Sequence, residues 1–234
     1  TPLYSSAASD VYKRQLLFTA ALLLATSCTA VSETSVEPLA EAPSFDILID
    51  NGLIVDGSGS EPYVGDVAIR DDRIVAVSPD IAGSARRVID ARGLAVAPGF
   101  INMLSWAPDA LIADGAGESD IRQGVTLEVF GEGWSEAPLT DKMATTLEGE
   151  QGDIRYPISW RSLDQYFDFI EKRGIAPNVA SFVGATTVRI NELDQADVDP
   201  DAAQLDRMRA LVRAAMDDGA MGVGSSLIYA PASY

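Results

Sequence analysis

The sequence predicts a mixed α/β protein, and three observations point that way. Residues 45–97 hold short β-rich runs, FDILIDNGLIVDG, DVAIRDDRIVAVS and RVIDARGLAV, punctuated by Asn51-Gly52, Asp71-Asp72 and Arg92-Gly93. Those dipeptides are turn signals, so this stretch reads as a small antiparallel sheet. From Pro98 onward apolar runs alternate with helical periodicity, the pattern of βα units around a parallel sheet. With 47% apolar and 22% charged residues among 234, the chain has material for a sizeable core.

The elements follow in order. Residues 1–12, TPLYSSAASDVY, add nothing a leader needs and read as a cloning or read-assembly artefact. Lys13 and Arg14, then LLFTAALLLA at 16–25, then Ser27 and Cys28, have the basic, apolar and small-residue regions of an export signal. The apolar run is shorter than the ~20 residues a membrane span needs. Cys28 sits as in a lipobox and is the lipidation candidate, although Ala25 stands where that box usually carries Leu; an ordinary cleaved signal is the alternative. This leader predicts an exported protein, periplasmic or an outer-membrane lipoprotein, that meets the membrane only through the lipid. Residues 29–44 are small and acidic, a tether. The expected organisation is therefore 1–44 artefact, leader and linker, 45–97 the sheet segment, and 98–234 the βα region.

Buried strands are expected at 99–104, 125–130, 179–183 and 221–228. Between them, Ser162 and Gln165 form a capping box ahead of Leu163, Tyr166, Phe167 and Ile170, with Gly174 past the end. A second helix is expected to open with Asp199 as cap and Pro200 at its first position, burying Leu205, Met208, Leu211, Val212 and Ala215 before Gly219. Ser119 is the cap expected for a short helix before Gly124.

Composition excludes some functions. A net charge of -18 and no basic stripe argue against a nucleic-acid partner. With no histidine, the sequence cannot build an imidazole metal site or a Ser-His or Cys-His pair. Asp56-Gly57-Ser58-Gly59 lacks the lysine and helix of a phosphate loop, and Gly222-Val223-Gly224-Ser225-Ser226 is not a nucleophile elbow.

The ordered blocks DGSGSEPYVGDVAIRDDRIVAV, VIDARGLAVAPGFIN, DIRQGVTLEVFGEGWS, NVASFVGATTVR and GAMGVGSSLIYAPASY resemble the N-acyl-D-amino-acid deacylase (D-aminoacylase) family of the amidohydrolase superfamily, from Phe45 to Tyr234. The resemblance implies the N-terminal part of a longer chain: about four βα units of a (β/α)8 TIM barrel, preceded by a β-sandwich segment. It also implies metal-dependent hydrolysis of linear amide bonds, with an N-acyl amino acid or dipeptide-like small molecule as substrate.

Departures from the family locate the candidate residues. Leu104 and Trp106 stand where relatives carry a His-x-His pair after Gly-Phe-Ile-Asp, and neither side chain coordinates a metal. They read as packing that fills the vacated position or as an apolar substrate wall. Gly131-Glu132-Gly133-Trp134-Ser135 stands where the family has Gly-Asn-Cys-Gly with a zinc cysteine. The resemblance thus assigns Glu132 as metal ligand for one zinc ion, with two histidines and an aspartate base lying beyond Tyr234; a solvated or salt-bridged carboxylate is the alternative. Tyr229, Trp106 and Ser226 are the substrate-binding candidates, and Tyr229 could equally be a buried structural tyrosine. Ala185 replaces a family histidine. No catalytic residue is expected within these 234 residues, so the chain alone is expected to be inactive. The other reading is a non-catalytic lipoprotein that uses the barrel as a binding scaffold.

Overall fold

The computed structural model describes residues 44–230; the expected leader, Cys28 and nearly all of the tether lie outside them. No helix among the described residues is long and apolar enough to cross a membrane.

The first sheet is built around β1 (Phe45–Ile54). β2 (Tyr63–Arg70) pairs with β1 antiparallel, and β3 (Arg73–Ser78) with β2 antiparallel. β4 (Ala85–Asp90) and β5 (Ala95–Val96) instead join the free edge of β1 in parallel, one after the other. The sheet is therefore mixed rather than antiparallel. The reason lies in residues 79–84, which carry the chain from the β3 edge across to the far side of β1. Asp66 is 5% exposed and pins that crossover, accepting hydrogen bonds from the Ile81 and Asn51 amides at 3.0 and 2.9 Å. Asn51-Gly52 is not a hairpin. Asn51 sits at φ 60 in a register shift inside one continuous strand, a β-bulge. Asp71-Asp72 and Arg92-Gly93 do turn the chain.

The second half alternates strand and helix. β6 (Phe100–Asn102), β7 (Val125–Phe130) and β8 (Asn178–Ser181) form a parallel sheet, and β9 (Val183–Gly184) pairs in parallel with β10 (Val223–Gly224). The helices are α1 (Pro108–Ala113), α2 (Glu118–Ile121), α3 (Asp141–Glu150), α4 (Leu163–Arg173), α5 (Ala185–Leu193) and α6 (Ala202–Asp217). No closed barrel forms among the described residues. The core between strands and helices centres on Trp160, Tyr166, Leu163, Ile170, Ile112 and Val183, each at most 1% exposed.

α4 starts where the sequence places it. Ser162 Oγ accepts from the Gln165 amide at 3.3 Å, Leu163, Tyr166 and Ile170 are buried, and Gly174 takes φ 81 past the end. The returning bond of the box goes to the Arg161 amide, at 2.7 Å. Four expectations are corrected. The cap of α6 is Asp201, not Asp199, because Asp201 and Gln204 bond each other's amides at 2.7 and 2.8 Å and leave Pro200 outside the helix. Of the stripe on α6, Leu205 is exposed while Ala215 is buried. The cap of α2 is Gly117 at φ 52; Ser119 lies inside the helix with its hydroxyl on Asp120. The strand expected at 221–228 shrinks to β10, since only Val223 and Gly224 find a partner, in β9.

Candidate active site

Because β6 and β7 run parallel, the segments leaving their C-terminal ends lie side by side. The Ser105 amide donates to Val129 O at 2.9 Å and holds them together. In barrel-type and open α/β folds this end of the strands carries the chemistry.

The turn after β7 is shaped by glycine. Gly131 and Gly133 have φ 92 and 74, and a Cβ on Gly131 would lie 2.1 Å from Phe182 O. No other residue fits that approach with that backbone, so Glu132 is presented at the tip of a tight turn. Behind it, Ser135 is 2% exposed; its amide donates to Thr187 Oγ1 at 2.7 Å and its hydroxyl accepts from the Gly184 amide at 2.9 Å. This buried network fastens the turn to the start of α5.

Two adjoining cavities open there, of 290 and 270 Å³, sharing Trp106, Glu132 and Trp134 as walls. The second cavity brings together all four candidates that fall within the described residues: Glu132, Trp106, Ser226 and Tyr229. Tyr229 is 58% exposed, not a buried structural tyrosine. Leu104 and Trp106 are 52% and 68% exposed. They do not fill a vacated position in the core; Trp106 is a cavity wall.

The first cavity is lined further by Asp109, Glu136, Glu150 and Tyr156. The Tyr156 hydroxyl donates to Asp109 Oδ1. Glu136 is half-buried; that burial, and then the charge of Asp109, push its carboxyl up to about 7. Burial raises the Tyr156 phenol as well. Trp160 supports the wall from below, its indole donating to Glu136 O at 2.8 Å and its ring lying 4.8 Å from Phe169 and 6.1 Å from Tyr156.

Sequence reasoning missed Glu136 and a second carboxylate, Glu128. Glu128 is 1% exposed on β7, where Oε2 accepts from Asn102 Nδ2 at 3.0 Å and Oε1 has no partner among the described residues. The available signal was a glutamate in the middle of VTLEVF, an otherwise strand-like run.

Comparison with known proteins adds to this geometry. No protein-family model matches the chain. It is 33% identical over 205 residues to the N-acyl-D-aspartate deacylase of Alcaligenes xylosoxydans xylosoxydans, covering 86% of this chain and 40% of that protein. It is 32% identical over 200 residues to the D-aminoacylase of the same organism, covering 82% and 40%. Its homologues at about 32% identity over four fifths of the chain are N-acyl-D-amino-acid deacylases and D-aminoacylases. The crystal structure of D-aminoacylase superposes with a TM-score of 0.69 at 32% identity, covering 81% of this chain and 40% of the other. The N-acyl-D-glutamate deacylase of Bordetella bronchiseptica, complexed with zinc and a phosphonate inhibitor, gives 0.68 at 30% identity over the same shares. The chain thus spans about 40% of the length of the D-aminoacylases it matches.

D-aminoacylase has a binuclear metal center, with one-metal activation and second-metal attenuation. Among the described residues here, no three His, Cys, Asp or Glu side chains are grouped to hold a metal ion. A hydrolytic zinc needs three protein ligands and an open position. The described residues do not amount to such a site; Glu132 places one carboxylate in the wall of both cavities.

Proposed function

We propose that the whole protein hydrolyses linear, non-peptide amide bonds of N-acyl amino acids, as a D-aminoacylase-like enzyme on a (β/α)8 barrel to which these βα units contribute. The observation that carries this is the cavity holding Glu132, Trp106, Ser226 and Tyr229 at the C-terminal ends of parallel strands, in a chain aligned with deacylases over four fifths of its length. In this reading Trp106 and Trp134 form an apolar wall, and the Tyr229 and Ser226 hydroxyls donate to the carbonyl or carboxylate of the substrate. One zinc is assigned to the whole protein, with Glu132 its ligand from this chain and histidines outside this histidine-free sequence completing it. The named relatives, all hydrolases, lend the binding-scaffold alternative no support.

The test is metal analysis of the whole protein, Glu132→Ala and Trp106→Phe, beside hydrolysis of N-acetyl-D- and L-amino acids. Wild type is expected to carry about one zinc and to turn over at least one substrate. Glu132→Ala loses metal and turnover together, whereas Trp106→Phe keeps its metal and changes KM. Full zinc and full turnover in Glu132→Ala would remove the ligand assignment; no hydrolysis by wild type would remove the enzyme.

A further inference from the structure

The cavity between the segment after β6, the turn after β7 and the segment after α3 has an unusual charge balance. Asp109, Glu132, Glu136 and Glu150 line it, and no lysine or arginine among the described residues does. Asp109 already receives the Tyr156 hydroxyl. The carboxyl of the half-buried Glu136 takes no hydrogen bond from any described residue, and its charged neighbour is another acid, Asp109. Four acids around one cavity, one of them half-withdrawn from water, leave negative charge that no basic side chain of the lining offsets. Around it stand the aromatic side chains of Trp106, Trp134 and Tyr156, surfaces that attract organic cations. The volume, 290 Å³, leaves room for a long side chain with its charged head, and the adjoining cavity extends the space. A metal ion is the poorer occupant, because no three metal-capable side chains are grouped among the described residues.

We propose that this cavity is a specificity pocket for a cationic group: the ammonium or guanidinium of an N-acyl amino acid with a basic side chain, its head against Glu136 and Asp109 and its stem along the tryptophans. The proposal rests on the hydrolase reading above and narrows its substrate class. The adjoining cavity, through the shared walls Trp106, Glu132 and Trp134, then receives the part of the substrate that carries the amide.

The test compares, with the whole protein at about pH 8, where carboxylates are ionised, the hydrolysis of N-acetyl-lysine, N-acetyl-norleucine and N-acetyl-glutamate in both enantiomers. Lysine and norleucine differ by the ammonium alone. Tryptophan fluorescence is titrated in parallel with n-butylammonium, with 1-butanol and with calcium. The expected result is a kcat/KM for lysine ~10-fold above norleucine, a fluorescence change with butylammonium but not butanol, and loss of both preferences in Glu136→Gln. Equal handling of lysine and norleucine by wild type, or a response to calcium in place of butylammonium, would overturn the proposal while leaving the hydrolase intact. Glu136-dependent butylammonium binding in a protein that hydrolyses nothing would do the reverse: the enzyme reading falls and the cation pocket stands.

Discussion

Glu136 shows how much one side chain can shift the pH dependence of this fold. Its ordinary value is 4.5, and in the folded protein burial and Asp109 push it up to about 7. Below 4.5 the group is protonated whether the chain is folded or not, and it costs nothing. As pH rises from there the unfolded chain releases its proton first, so the folded state loses stability until about pH 7 and no further. Glu136→Gln should therefore leave stability unchanged at pH 4 and raise it by up to roughly 3 kcal/mol at pH 8. Urea denaturation of both proteins at the two pH values measures this; an equal gain at both would mean that packing, not ionisation, sets the cost. Glu132 was legible in the sequence because a family block surrounds it, and Trp106 because it stands in a conspicuous position. Glu136 and Glu128 were not legible, since nothing in WSEAP or VTLEVF states that a loop and a strand will enclose those carboxyls. Burial of a single polar residue is decided by partners far along the chain, as Asn102 is for Glu128.

At the scale of elements, local chemistry was readable wherever it was strong. β7 occupies the expected residues, and α4 begins and ends at its own signals, Ser162 and Gly174. α5 was invisible for the opposite reason: ATTVRINEL is rich in β-branched residues, whose helix propensity is low. Tertiary packing overrides that preference, burying Thr186, Thr187, Val188, Ile190 and Leu193. The cap of α6 was displaced by two residues because Asp199 and Asp201 are equivalent as types and only the reciprocal bonds with Gln204 separate them. That difference is measurable. Asp201→Ala should cost ~1 kcal/mol of stability and Asp199→Ala close to nothing; a chemical denaturation series that ranks them the other way would return the cap to Asp199. The mixed character of the first sheet was hidden too, since alternation along a strand says which face is buried but not the direction of its neighbour.

At the scale of the molecule, the described residues leave large apolar side chains uncovered along the parallel strands and their ends. Phe100, Ile101, Met103, Leu227 and Ile228 are between 55% and 79% exposed. Large apolar side chains left in water favour association. Expressed as these 234 residues alone, the chain should self-associate, and light scattering with calorimetry checks this: a monodisperse monomer melting cooperatively would show that the apolar residues are tolerated as they stand. The central place of β1 has a further effect, in time rather than in space. As the chain is made, β2 and β3 can close around Asp71-Asp72 at once, but the last neighbour of β1 arrives only with Val96. Until then one edge of β1 offers unpaired amides and carbonyls to any extended segment nearby. Within its own sheet the first strand is thus the last to be fully paired, and until Val96 is made its open edge is a place where a chaperone can act.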